Sequence, residues 1–392
     1  MKNVFLKRQE KIFKHLSASG IFAAVLKDFE GSRNSSVRYL TGHPQDAALF
    51  IFAKGAALLV PWDINLAKKN AYCTEIIPYT DFNRNFPNAV VSIFSGNVPP
   101  LFLQYMETDF SNKKIEFSGS SSWLEIESFK KLMPDKEILC REDGIDSILS
   151  KNRIIKDKKE IAIYKKAAEI TNTIIDELEK YIKKSLKKSK KQITEFEIAL
   201  FIEKLIRKNR AEGTGFETIV AGHTRSWAIH PYPSFSSAPV AKTGTTIIDF
   251  GIKYKGYTTD VTITFTGRNL SGKQKEIINL VSNAASRAEK LLKPGISAQS
   301  VADSIKAFFD QHGYSMPHSL GHGIGLDAHE KPIIKVSSEN EPLAHFEEGM
   351  VFTIEPGLYD PLHGGVRLEN NYLITKNGCK KLTNARIISL EN

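Results

Sequence analysis

Residues 317–330 read PHSLGHGIGLDAHE, which sets His318, His322 and His329 among glycines and small apolar residues. Each imidazole brings a ring donor and a ring acceptor that a packed interior must satisfy, so three of them in one short stretch mark a polar site. Taken singly, each is equally well read as a satisfied core or surface histidine. Four carboxylates change that balance. Asp249, Asp260, Glu355 and Glu369 each fall in or beside an apolar, strand-like run, where an unpaired charge is costly. A chain with this pattern has to fold so that its acids find partners.

Thr245–Phe250 and Tyr257–Phe265 are strand-like runs joined by a turn bearing Gly and Lys, which predicts a β-hairpin with Asp249 and Asp260 near each other across it. Two buried carboxylates side by side repel, and a shared proton or a cation relieves them. A partly exposed hairpin with ordinary surface aspartates is the plainer alternative. Glu355 closes MVFTIEPG, and Glu369 sits in GGVRLENNYLIT after a glycine turn. If both meet Asp249, Asp260 and His322, four carboxylates and one imidazole carry a formal charge of −4, which matches two divalent cations. Oxygen donors with one nitrogen and no thiolate point to manganese, cobalt, iron or zinc. Two such ions can activate water and polarise a carbonyl, so the implied reaction is hydrolysis.

Length allows two or three domains in 392 residues, and 41% hydrophobic content without low-complexity sequence predicts a fully globular chain. The net charge of +10 admits an anionic partner such as nucleic acid or a membrane surface. Much of it, however, lies in KYIKKSLKKSKKQ, Lys180–Gln192, a run without arginine that reads as a solvated helix end and loop. Neither nucleic acid nor membrane is therefore expected as a partner. Cys73, Cys140 and Cys379 are far apart and odd in number, which gives no metal knuckle and no disulfide framework. With no apolar signal-peptide region and no long apolar window, a reducing, cytoplasmic location is expected.

Apolar residues at helical spacing between 4 and 17 are followed by a strand from Ile21, and two apolar runs flank Lys54-Gly55 as a hairpin. Strands are expected over Ala89–Phe94 and Ile115–Phe117, then a helix capped by Ser121 or Ser122. This α/β layer, assigned to residues 1–150, holds no acid, base or metal cluster. Residues 151–392 form the second expected domain. It opens with a long helical pattern and a second helix at Thr194, where Thr194 and Glu197 have capping-box spacing. Another helical stretch, 273–309, is broken near Pro294-Gly295.

The order and spacing of Asp249, Asp260, His322, Glu355 and Glu369 resemble the five metal ligands of the pita-bread metallopeptidases, the family of methionine aminopeptidase, aminopeptidase P, prolidase and creatinase. From Arg153 to about Leu390, RIIKDKKEIAIYKKAAEIT, FETIVAG, HSLGHGIGLDAHEKP, GMVFTIEPGLY and GGVRLEN resemble its signature segments. SVRYLTG and the hairpin after it resemble the extra domain of aminopeptidase P, prolidase and creatinase. The resemblance implies an α/β N-terminal domain and an α+β C-terminal pita-bread domain with its site on a concave antiparallel sheet. It also implies a homodimer and two divalent ions, manganese first and cobalt, zinc or iron as alternatives. Asp249 would be bidentate to one ion, Asp260 and Glu369 would bridge, and His322 and Glu355 would hold the other. Glu355 would also shuttle the proton, and His230 would face the scissile carbonyl. His318 and His329 would hydrogen-bond substrate and tetrahedral intermediate, and Arg367 would brace the site by pairing with a carboxylate.

Some residues depart from the family pattern. Thr259-Asp260-Val261-Thr262-Ile263 stands where Ser-Asp-x-Thr-Arg is common, and Asn370 follows Glu369 where aspartate is commoner. Ile333 stands near where some prolidases carry an arginine for a dipeptide's carboxylate. On that ground the resemblance implies an Xaa-Pro aminopeptidase, acting on peptides with an N-terminal Xaa-Pro. An Xaa-Pro dipeptidase is the alternative, and a non-catalytic pita-bread module that binds peptide or nucleic acid is a third reading.

Overall fold

A computed structural model describes residues 2–106, 113–188, 193–240, 243–339 and 342–390. The chain divides into two compact units, Met1–Asn152 and Arg153–Asn392.

The first unit runs α1 (Lys2–Ala18), β1 (Ala23–Asp28), α2 (Ser35–Thr41), β2 (Ala47–Phe52), β3 (Ala56–Pro61), α3 (Ile64–Asn70), β4 (Glu75–Ile76), α4 (Phe86–Phe94), β5 (Lys114–Phe117), α5 (Trp123–Leu132), β6 (Glu137–Leu139) and α6 (Ile145–Ile154), the unit boundary falling inside α6. Its six strands form one mixed sheet in the order β4-β3-β2-β1-β5-β6. Every residue of β1, β2 and β3 is buried, which is why these strands read as continuous apolar runs instead of alternating ones. The hairpin around Lys54-Gly55 is β2–β3, and Ser122 caps α5 in a full capping box with Glu125. The strand expected at Ala89–Phe94 is instead the second half of α4. Asn85 accepts from the Asn88 amide as its cap, Pro87 sits in the first turn, and Ala89, Val90, Ile93 and Phe94 face the core at helical spacing. A short apolar run does not separate strand from buried helix by composition, and here the cap decides.

The second unit continues with α7 (Lys158–Lys188), α8 (Glu195–Lys208), β7 (Gly213–Thr214), β8 (Ile219–Ala221), β9 (Thr245–Phe250), β10 (Ile252–Tyr254), β11 (Tyr257–Thr258), β12 (Val261–Thr266), α9 (Gly272–Leu291) and α10 (Ala298–Asp310). It ends with β13 (Gly321–Gly323), β14 (Glu330–Ile334), β15 (Val351–Ile354), β16 (Gly357–Asp360), β17 (Gly364–Arg367), β18 (Asn370–Thr375), β19 (Gly378–Lys381) and β20 (Ile387–Ser389). Two sheets carry the site, β20-β12-β9-β8 and β14-β13-β15-β18-β19. Ile170, Ile174, Leu178 and Ile182 of α7 pack with Ile198, Ile202 and Leu205 of α8 in the core of the first sheet. Val281, Ala284 and Ala288 of α9 join Val301, Ile305 and Phe309 of α10 in the core of the second. The capping box at Thr194 and Glu197 opens α8 as expected, and Ser297 caps α10 after the break at Pro294-Gly295. Of the lysine run, Lys180–Lys188 extends α7 and 189–192 lie outside the described residues. No helix among the described residues is long and apolar enough to cross a membrane.

The expected hairpin forms as β9 and β12, antiparallel, with Asp249 opposite Thr262. Its second strand is not continuous over 257–265. Thr259 and Asp260 interrupt it, because β11 turns back to pair with β10 as a separate small hairpin.

Candidate metal centre

Five sequence positions, on separate elements, meet in the second unit. Asp249 is on β9, Asp260 lies in the break before β12, and His322 is in the middle of β13. Glu355 follows β15, and Glu369 links β17 to β18. His322 sits between glycines for a steric reason: a Cβ at Gly321 would lie 2.0 Å from the Thr353 carbonyl, and one at Gly323 2.1 Å from that of Lys331. Only glycine lets the neighbouring strands close on the imidazole from both sides.

His322 Nδ1 donates to the Gly323 carbonyl at 3.0 Å, so in the neutral ring Nε2 is the lone-pair nitrogen. That nitrogen lies 3.8 Å from Asp260 Oδ2 and 3.6 Å from Glu355 Oε1. Ligand atoms of Asp260, His322 and Glu369 all lie within 4.8 Å of one another. Burial pushes the His322 pKa down to about 4, helped by the adjacent His329, which keeps the lone pair free at neutral pH. The acids shift the other way. Burial, then the Asp249 charge, pushes the Glu369 carboxyl up to about 7. Asp260 is raised well above the usual carboxylate range by burial and then by Glu369, Asp249 and Glu355. Glu355 is raised by burial and then chiefly by Glu369.

Asp249 Oδ1, Asp260 Oδ1 and Glu369 Oε1 are buried and accept no hydrogen bond among the described residues. Orphaned buried oxygens of this kind are expensive, and the raised carboxyls of Asp260, Glu355 and Glu369 are in want of further positive charge. A divalent cation supplies both needs. These hard oxygens with one imidazole nitrogen fit such an ion, so Asp249, Asp260, His322, Glu355 and Glu369 can together hold metal.

Arg367, at the end of β17, is buried and uses its whole guanidinium. Nε donates to Thr262 Oγ1 (3.0 Å), Nη1 to the Ile229 carbonyl (3.1 Å) and the Tyr359 hydroxyl (2.9 Å), and Nη2 to Asp249 Oδ2 (2.6 Å). Thr262 Oγ1 in turn donates to Glu369 Oε2 at 2.9 Å. His318 Nδ1 donates to the Ser319 carbonyl at 2.8 Å, so its Nε2 accepts from Tyr359 at 3.0 Å. Burial lowers the His318 pKa to about 4. The His329 ring centroid stands 4.2 Å from that of His322, and burial also lowers its pKa. Exposed His230 follows Ile229, close enough for its charge to act on His318 and His329.

All nine sequence-selected positions thus lie in one region, the carboxylates and His322 at its centre. Sequence reasoning missed Tyr359, Thr262, Asn371 and Glu330. The signal for Thr262 was its place opposite Asp249 in the hairpin, and for Asn371 an amide at the head of an apolar strand. Glu330 takes Arg153 and Lys156 in a buried cluster that anchors the segment carrying His329; its Lys156 bond is 3.2 Å.

The model of metallopeptidase family M24 matches residues 162–376. An Xaa-Pro dipeptidase from Pyrococcus horikoshii is 32% identical, over 97% of this chain and 98% of the relative. Among solved structures, prolidase from Pyrococcus furiosus superposes with a TM-score of 0.78 at 28% identity, covering 95% of this chain and 99% of that one. The X-Pro aminopeptidase from Thermotoga maritima gives 0.78 at 27% identity, covering 97% and 99%. With the two-domain α/β plus α+β pita-bread architecture, these likenesses establish that the chain belongs to metallopeptidase family M24, in its Xaa-Pro dipeptidase and aminopeptidase P branch.

Proposed function

We propose that the chain is a metal-dependent Xaa-Pro dipeptidase, a prolidase, hydrolysing dipeptides with proline in second position. The observation that carries hydrolysis is the buried cluster of carboxylates, with unpartnered oxygens on Asp249, Asp260 and Glu369, around the free Nε2 of His322. The aminopeptidase preference drawn from Ile333 yields to the near-full-length likeness to prolidases. Aminopeptidase P is kept as a second reading on one observation. Ile333, exposed and opposite His322 in the β13–β14 register, offers no charge to a dipeptide's carboxylate.

In this reading Asp249, Asp260, His322, Glu355 and Glu369 hold two divalent ions, manganese first. Bound there, such ions supply Lewis acidity towards a carbonyl and acidify water. Glu355 is the proton carrier: its side chain is 17% exposed against 7% for Asp260, so it is the acid on the open side, and Oε2 lies 4.0 Å from His318 Nδ1. It accepts the proton of the attacking water and passes it to the prolyl nitrogen. Arg367 holds Asp249 oriented through the Nη2–Oδ2 hydrogen bond. Both ring nitrogens of His318 are engaged by Ser319 and Tyr359, so exposed His230 and His329 meet the substrate first. A homodimer and a cytoplasmic location belong to the same proposal, the latter supported by three unpaired cysteines.

The test supplies chelated protein with manganese, cobalt or zinc and offers an X-Pro dipeptide, an X-Pro-Y tripeptide and Met-Ala-Y. Dipeptide cleavage alone is expected. Release of X from the tripeptide but not the dipeptide makes the enzyme an aminopeptidase P, and cleavage of none by metal-loaded protein points to another amide substrate.

A further inference from the structure

We infer that Asn371 is a positioning residue for the metal centre, its side-chain amide fixing the backbone of Asp260 and thereby the place of the Asp260 carboxylate. The inference rests on the reading that Asp260 holds a metal ion. Asp260 lies in the two-residue interruption between β11 and β12, where its peptide groups stand outside the regular strand. A buried N–H and C=O must still find partners. Both find Asn371. The Asp260 amide donates to Asn371 Oδ1 at 3.2 Å, and Asn371 Nδ2 donates back to the Asp260 carbonyl.

This reciprocal pair mimics one rung of a β-ladder, made by a side chain. Among short side chains only a primary amide carries a donor and an acceptor in one plane. Asn371 is fully buried, and its own backbone is pinned: its N–H donates to Thr383 Oγ1 at 2.8 Å, and its carbonyl accepts from Leu382 at 2.8 Å. The amide therefore stands on a rigid strand and Asp260 is held to it. Aspartate at 371 would retain the acceptor, lose the donor, and set a carboxylate oxygen against the Asp260 carbonyl.

Asn370, next in the same strand, provides an internal control. Its Oδ1 accepts from Thr383 Oγ1 (3.0 Å) and the Ala385 amide (2.8 Å), and its Nδ2 donates to the Ala385 carbonyl (3.0 Å). It has the same chemistry and similar burial, but its bonds go to the 383–385 segment and not to Asp260.

The experiment measures manganese affinity of wild type, Asn371→Asp and Asn370→Asp by chelator competition, and records the visible spectrum of each cobalt-loaded protein. Asn371→Asp is expected to lose about 10- to 100-fold in affinity, the usual range for partners that orient a ligand, and to shift the cobalt bands. Asn370→Asp is expected to melt earlier yet bind and absorb as wild type does. If Asn371→Asp does not fold, Asn371→Ser, without the repelling oxygen, is expected to show the same direction of loss. Equal affinity and spectra in the Asn371 variants and wild type overturn the inference alone. Wild-type protein that takes up no metal overturns the reading beneath it, and the inference with it.

Discussion

Arg367 donates from Nη2 to Asp249 Oδ2 across 2.6 Å, with both side chains almost wholly out of solvent. The same guanidinium reaches Thr262, Ile229 and Tyr359, so one residue ties a candidate metal-site acid to three other segments. Lysine keeps the charge but has one nitrogen and no planar fork. Arg367→Lys is expected to lower stability by roughly 2–3 kcal/mol, the scale of a lost charge-assisted hydrogen bond, and to cut peptide hydrolysis sharply. Urea denaturation gives the first number; an unchanged midpoint would remove Arg367 from its bracing role.

Metal uptake should release protons near neutral pH. In the metal-free protein burial holds Glu369 at about 7 and raises Asp260 and Glu355, so protons compete for these acids until pH rises past that range. His322 is neutral down to about 4 and is not the competitor. Apparent metal affinity is expected to fall about tenfold per pH unit for each proton displaced as pH drops below about 7. Calorimetry at pH 6 in buffers of different ionisation enthalpy measures the release directly. Identical heats in all buffers would refute it.

Chelation should cost stability, and the cost should grow with pH. A buried acid with a raised folded pKa contributes stability below its unfolded value, near 4.5 for Glu369, and loses it as pH rises through about 7. His318 and His322, lowered to about 4, work in the opposite direction and destabilise as pH falls from 6.5. Bound metal cancels the acid contribution only. The gap in Tm between loaded and chelated protein should therefore widen from pH 5.5 to 8, and a constant gap across scanning calorimetry would count against the carboxylate cluster.

Tyr359 accepts from Arg367 and donates to His318 Nε2. Tyr359→Phe keeps the ring and removes both bonds. Its cost should be about 1–3 kcal/mol for the groups left unpaired, and His318 should become titratable nearer its ordinary value. Histidine NMR across pH 4–8 reads this; a His318 signal that still titrates near 4 would show that burial alone sets it.

Glu330 closes the Arg153 and Lys156 cluster. Burial alone would raise its carboxyl, but the Lys156 and Arg153 charges outweigh burial and hold it below the usual range. Its stabilisation is present above 4.5 and is lost as pH falls through the folded value. Glu330→Gln removes the anion that Arg153 and Lys156 share, leaving Asp327 as an acid beside Arg153, and should destabilise by about 3–5 kcal/mol at pH 7. The loss should shrink towards pH 3 in thermal melts, where an equal loss at both values would exclude the ion pairs as its source.

Much of this molecule was legible in its residues. The cap at Ser121 or Ser122, the capping box at Thr194, the hairpins at Lys54-Gly55 and Asp249–Asp260, and acids set in apolar strands are local patterns, each read from a few neighbours in the chain. Periodicity could not settle Ala89–Phe94, because a short apolar run suits strand and buried helix alike until Asn85 caps it. Nor did it foresee the interruption at Thr259–Asp260, which arises when β11 chooses β10 as its partner. Donor chemistry at Asp249, Asp260, His322, Glu355 and Glu369 was written in the sequence. Which nitrogen of His322 stays free, which oxygens lack partners, and how Tyr359, Thr262 and Asn371 hold their neighbours were decided only when distant strands met, because hydrogen bonds and desolvation depend on distance in space, not along the chain.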